Sequence, residues 1–230
     1  MTITENTTLA DIAAALPSSV PVFQRHGIDF CCGGKRAIGA VCAEQGLSFD
    51  ELARAIEASA AAPSGENRDW TREPLHALID HIVTTYHDPL RSELPRLGAM
   101  ARKVAGVHGA KAGHLARMEA IVAELAEDLL EHMKKEEQVL FPAIRAIEDG
   151  AGYEPTALLG PVSVMEREHD RAGELLGALR RISGQYEVPD WGCQTFRAFY
   201  QGLEGLERSM HVHVHLENNI LFPRALRQPQ

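Results

Sequence analysis

The sequence predicts an all-α protein: a small helical N-terminal domain followed by an up-down-up-down four-helix bundle. Three observations carry that expectation. Beyond Pro74, apolar residues recur at spacings of three and four over four long stretches, the period of helices with one buried face. Short segments containing glycine or proline separate those stretches, so consecutive helices should return antiparallel. The pattern His-x-x-x-Glu also occurs twice, at His132/Glu136 and His213/Glu217, each time followed by Leu-Phe-Pro.

In chain order, Thr7 or Thr8 caps a helix through Leu9–Ala15 that Pro17 ends, and Ser18 or Ser19 opens a second that stops at Gly27. The run Asp29-Phe30-Cys31-Cys32-Gly33-Gly34-Lys35 follows, with glycines that let another group approach the backbone closely. Residues 35–45 read as helix up to Gly46, and Ser48-Phe49-Asp50-Glu51 is a capping box for a helix to about Ala60. The small and polar run from Ala60 to Asn67 marks a boundary, giving domains at 1–62 and 74–230 joined by a linker at 63–73.

The first bundle helix starts at Pro74 and carries the stripe Leu75, Leu78, Ile79, Ile82, Val83 and Tyr86, with His87 on its edge. Pro89 and Pro95 should kink or break it, because proline removes a main-chain donor and crowds the preceding turn. After a loop at 106–113, the second helix is expected over about His114–Glu148. The third covers about Val162–Ser183, and the fourth about Trp191–Arg227 with a bend or interruption near Pro223.

With 230 residues and a hydrophobic share of 45%, the chain has ample sequence for a core. A formal net charge of −9 argues against nucleic acid and anionic membrane as partners, since both select basic surfaces. No apolar run has transmembrane length, and the N-terminus lacks the basic flank and apolar centre of a signal peptide, so a cytoplasmic protein is expected. Four cysteines, two of them adjacent, make no disulfide framework.

The two His-x-x-x-Glu segments belong to a longer duplication. His87-Asp88 precedes His132, and His169-Asp170 precedes His213, by nearly equal gaps that suit a helix, a turn and most of a returning helix. Four helices thus bring His87, His132, His169 and His213 to one level, and Glu136 and Glu217 lie one turn along on the same faces as their histidines. Burying six such groups in apolar stripes without a common partner is costly, which points to metal. Four imidazoles, two bridging carboxylates and an oxo or hydroxo bridge supply about ten bonds, against the roughly twelve that two octahedral ions take, so about one position per metal stays open. The mixed nitrogen and oxygen set suits iron, with manganese and zinc left open.

Two other readings compete locally. His211 and His215 form an i, i+4 pair of their own, but they align with Leu130 and Lys134 in the other repeat. Glu166-Arg167-Glu168-His169 contains a Glu-x-x-His spacing that has no duplicate, since Thr84 stands at the matching position. Glu166 and Glu168 are then outer or channel groups, and Asp88 and Asp170 orient helices or face solvent.

The motifs Asp29–Lys35, Tyr86-His87-Asp88, His132–Glu137, Pro161–Asp170, His215–Asn219 and Leu221-Phe222-Pro223 together resemble the repair-of-iron-centres family. Its members join a short cysteine-bearing domain to a haemerythrin-like di-iron bundle, and the resemblance spans nearly the whole chain. It implies two non-haem irons per chain with an oxo or hydroxo bridge. His87, His132, His169 and His213 would be the terminal ligands, with Glu136 and Glu217 as bridges. Haemerythrins proper use a fifth histidine, and no residue here matches it. The resemblance further implies protection or repair of iron-sulfur clusters damaged by nitric oxide or oxidants. Its partners would be nitric oxide or other small oxidants and damaged iron-sulfur proteins, and homodimerisation is an expectation from the family alone.

Cys31 and Cys32 are the candidate catalytic thiols, for redox or nitrosyl transfer. Adjacent residues cannot form an unstrained disulfide, so a bond between them would be easily reduced. Lys35 and a nearby helix start are expected to activate them, whereas Cys42 and Cys193 are expected to be buried hydrophobes. The leading reading is a repair protein, with nitric oxide reductase-type activity or iron donation at the di-iron site. Its rivals are a reversible nitric oxide or oxygen sensor without turnover and a storage or structural bundle with closed coordination.

Overall fold

Thr8 opens the first helix, α1 (Leu9–Ala15): its hydroxyl oxygen accepts the N–H of Asp11 at 3.1 Å, a cap worth about 1 kcal/mol. The computed structural model describes residues 1–61, with the backbone alone at 61, and 68–152 and 154–227. Much of the expected linker at 63–73, through residue 67, therefore lies outside the described residues. Helices α2 (Val20–Arg25), α3 (Ile38–Gln45) and α4 (Phe49–Ala61) complete the N-terminal group around Ile12, Phe23, Phe30, Ile38 and Ile56. Helix α3 starts three residues later than expected. The carbonyls of Gly34 and Arg36 accept the N–H groups of Ala10 and Leu9, so this segment closes the open N-terminus of α1 instead of turning into helix. Gly46, at φ +68°, ends α3 in the left-handed region that favours glycine.

The bundle follows the predicted order. The first helix is α5 (Leu75–Ile82), a π turn (Val83–His87) and α6 (Asp88–His108); the second is α7 (His114–Lys135), a π turn (Glu136–Leu140) and α8 (Phe141–Glu148). The third is α9 (Leu159–Ile182), and the fourth is α10 (Gln194–His215), a π turn (Leu216–Leu221) and α11 (Phe222–Ala225). Helix α6 packs on α7 and α10, and α9 packs on the same two, which closes the ring. Among the described residues the only β pairing is a single bridge between Thr8 and Ala37, and no helix is long and apolar enough to cross a membrane.

Pro89 neither kinks the first helix apart nor ends it. It stands at the second position of α6, directly after a π turn, and Pro142 and Pro223 stand at the second positions of α8 and α11 after the other two. A proline ring strikes the carbonyl four residues back. In all three cases that carbonyl lies in the π turn, whose wider i→i+5 path accommodates the ring without breaking the helix. Pro95 is likewise carried inside α6, which runs on through Gly106 to His108.

Two apolar clusters fill the bundle. One, including Leu97, Leu125, Leu176 and Phe196, occupies the stretch spanned by α6, α7, α9 and α10; the other gathers Ile79, Phe141, Ile144 and Phe222 at the α5, α8 and α11 end. Along every bundle helix, the candidate ligands fall between residues of these two clusters. They form a polar layer in an otherwise apolar core.

Candidate metal centre

The structure brings the six sequence-predicted residues together. His87, His132, Glu136, His169, His213 and Glu217 are all buried, and they form two groups of potential ligand atoms that share both carboxylates. His87 and His213 belong to one group, His132 and His169 to the other. Glu136 Oε2 lies 3.4 Å from His87 Nε2 and 3.3 Å from His132 Nε2, so it reaches both groups. Glu217 divides its oxygens: Oε1 is 3.0 Å from His213 Nε2, and Oε2 is 3.2 Å from His169 Nε2.

The ring nitrogens facing away from the centre are held by other residues. His87 Nδ1 donates to Glu137 at 2.7 Å, His132 Nδ1 to Glu168 at 2.9 Å, and His169 Nδ1 to Asn218 Oδ1 at 2.8 Å. Glu137 is anchored by Arg91 and Glu168 by Lys135. His213 Nδ1 has no hydrogen-bond partner; the Tyr86 ring stacks on that imidazole at 5.3 Å instead. Phe141 stacks on His87 at 5.7 Å and Phe222 on His169 at 6.2 Å, so the phenylalanine of each Leu-Phe-Pro motif covers the single histidine of its own repeat.

These residues fit a pair of cations. With Nδ1–H committed outward, the Nε2 lone pairs of His132 and His169 face each other across 3.0 Å; His87 and His213 approach at 3.1 Å. A cation between such atoms turns repulsion into attraction. Both oxygens of Glu136 and Oε2 of Glu217 are buried without a hydrogen-bond donor, an arrangement that costs several kcal/mol per uncompensated ion. Electrostatics agree in sign. Burial pushes the Glu217 carboxyl up, but His213 and His169 outweigh it and hold it well below the usual range. Burial pulls His132 down, yet Glu136 and its neighbours raise that imidazole to about 9, so its Nε2 position draws positive charge, whether a proton or a metal ion.

The local alternatives resolve differently. His215 and His211 pack against Phe30 and join neither group, and burial pushes His215 down to about 4. Glu166 sits 3.9 Å from Lys35, and Asp88 pairs with Arg91 at 2.6 Å. Residues 127–129, 131, 132, 135, 164, 167–169, 171 and 172 line a cavity of about 420 Å³ that includes His132, Glu168 and His169.

The cysteines overturn two expectations. Lys35 does not activate Cys31: its side chain is 86% exposed and directed to Glu166, and α3 begins only at Ile38. The hydrogen bond with Cys32, burial and Asp29 instead push the Cys31 thiol well above its ordinary range. Cys193, expected to be buried, is exposed at the N-cap of α10 with its sulfur 3.3 Å from His108 Nε2. The His108 hydrogen bond and the N–H groups of Phe196 and Thr195 bring its thiol down to about 7. Sequence gave only a weak signal for this, in the Pro189-Asp190-Trp191-Gly192 break before the helix. Cys42 is buried as expected, and burial pushes its thiol up.

A family model described as the hemerythrin HHE cation binding domain matches residues 78–225, and one described as the ScdA_N domain of unknown function matches residues 5–60. The chain is 39% identical over 222 residues to proteins named iron-sulfur cluster repair protein YtfE. These include relatives from Yersinia pestis (strain Pestoides F), Yersinia pestis bv. Antiqua (strain Angola) and Yersinia pseudotuberculosis serotype IB (strain PB1/+). The match covers 96% of this chain and 97% of each of them.

Proposed function

The chain belongs to the hemerythrin-domain family of iron-sulfur cluster repair proteins, and from that premise we propose that it protects or repairs iron-sulfur clusters under nitrosative and oxidative stress. The observation that carries this reading is the shared bridging geometry, with Glu136 and Glu217 each reaching both histidine groups. His87 and His213 would hold one iron, His132 and His169 the other, with an oxo or hydroxo group as a further bridge. Bound there, the irons would supply one-electron redox chemistry and open positions for nitric oxide or another small oxidant. The chain's own residues do the rest. Glu137, Glu168 and Asn218 fix the histidine tautomers, while Phe141, Phe222 and the two apolar clusters shield the layer from water.

The same reading places the protein in the cytoplasm, assigns Cys31 and Cys32 to redox or nitrosyl transfer, and divides the chain into domains 1–62 and 74–230. Damaged iron-sulfur proteins are its clients, and iron donation is the alternative to nitric oxide chemistry at the same site. Turnover is the test. The iron-loaded protein with an excess of reductant should consume many equivalents of nitric oxide per chain, whereas consumption stopping at one or two equivalents would favour reversible sensing.

A further inference from the structure

The thiol pair is not suspended over solvent. Cys31 joins the larger apolar cluster of the bundle at 5% exposure, and Cys32 packs against the same cluster while staying half-buried. A residue of the metal-bearing helix seats them. Asn219, two positions after Glu217 on the π turn Leu216–Leu221, donates through Nδ2 to the carbonyls of Cys31 at 3.0 Å and Phe30 at 3.3 Å. The same amide donates to His215 Nδ1 at 3.1 Å, and the His215 ring packs on Phe30 at 5.6 Å.

The loop is shaped to be held this way. A Cβ on Gly34 would come within 2.9 Å of Asn219 Oδ1 and 2.7 Å of the Phe30 carbonyl, so a side chain there would push the two apart. Asp29 gathers the N–H groups of Cys31 at 3.1 Å, Cys32 at 3.0 Å and Gly33 at 2.9 Å, and it also accepts the Cys31 thiol at 3.1 Å. Cys32 is left with its sulfur over Gly173, 4.0 Å from where a Cβ would stand and one turn beyond His169 on α9.

We infer that Asn219 is the positioning residue that seats the Cys31–Cys32 turn on the metal-bearing helix of its own chain, leaving Cys32 as the thiol that meets an incoming reactant and Cys31 as its enclosed neighbour. One six-residue π turn then carries Glu217, the Asn218 that holds His169, and the Asn219 that holds the thiols. The use of this arrangement rests on the repair reading, but its geometry is measurable without iron.

The test is iodoacetamide labelling of the full-length, metal-free chain, resolved by peptide mass spectrometry. Wild type should label at Cys32 well before Cys31. Asn219→Ala removes the donated hydrogen bonds and should speed Cys31 labelling by about tenfold. Asn219→Asp keeps the volume but offers carboxylate oxygens to two carbonyls, and should speed it at least as much. Gly34→Ala should expose Cys31 from the other side of the contact, with the bundle helix untouched. Faster Cys31 than Cys32 labelling in wild type overturns the inference, as does an unchanged rate in folded Asn219→Ala and Gly34→Ala. An Asn219→Asp chain that labels like wild type overturns it too, because space-filling rather than donation would then be the role. Absence of nitric oxide turnover would sink the nitric oxide-consuming form of the repair reading while leaving this labelling pattern intact.

Discussion

The two repeats of the bundle keep the same inner residues and differ in the outer ones. His87 and His132, from the first repeat, are both backed by carboxylates, Glu137 and Glu168. His169 and His213, from the second, are backed by the neutral amide of Asn218 and by no hydrogen bond at all. Glu137 and Asn218 are equivalent positions, each one residue past a bridging glutamate; Glu168 and Tyr86 are another such pair, each one residue before a single histidine. Duplication has thus preserved what touches the metal positions and released what tunes them. A carboxylate behind an imidazole raises its basicity. Because each group combines one histidine of each repeat, each metal position receives one imidazole with a carboxylate behind it and one without.

This difference can be tested from its largest effect downward. Glu137→Ala should weaken metal binding by about 10–100-fold, read by chelator competition, because it frees a buried imidazole and leaves Arg91 with Asp88 alone. Asn218→Ala should cost less by the same assay, since it removes a neutral partner. Equal losses would mean that the outer carboxylate carries no special weight. The smallest effect concerns a pair the repeat lacks altogether: superposing His132 on His213 puts Ala112 where Cys193 stands. With its thiol held down to about 7, Cys193 should be alkylated at a rate that rises as pH increases through that value. His108→Ala should move the midpoint up towards the ordinary cysteine value of about 8.5. An unmoved midpoint would show that the imidazole contributes nothing.

Much of this was legible in the sequence. Helical periodicity located the bundle helices, and the doubled His-x-x-x-Glu, set against nearly equal gaps, selected the same six residues that the fold brings together. The π turns were not legible, because proline read alone signals a break. Only with Pro89, Pro142 and Pro223 placed at equivalent positions does it mark where a helix widens. The outer partners were hidden for a different reason: Glu137 reaches a histidine on another helix 50 residues away, and Asn218 one 49 away. The seating of Cys31 and the pairing of Cys193 with His108 are likewise long-range contacts that spacing does not encode. Lys35 shows the converse error, since a neighbour in sequence turned its charge elsewhere.

The central claim is that the polar layer between the two apolar clusters is a shared two-metal centre. Metal analysis and the optical spectrum of purified wild type and Glu217→Ala, before and after nitric oxide, test it most directly. The account predicts about two irons per wild-type chain, a spectrum that changes with nitric oxide, and loss of both features in the variant, because Glu217 reaches both groups. Wild type purified with no iron after growth in ample iron, or a variant that keeps its full complement of iron, would contradict it.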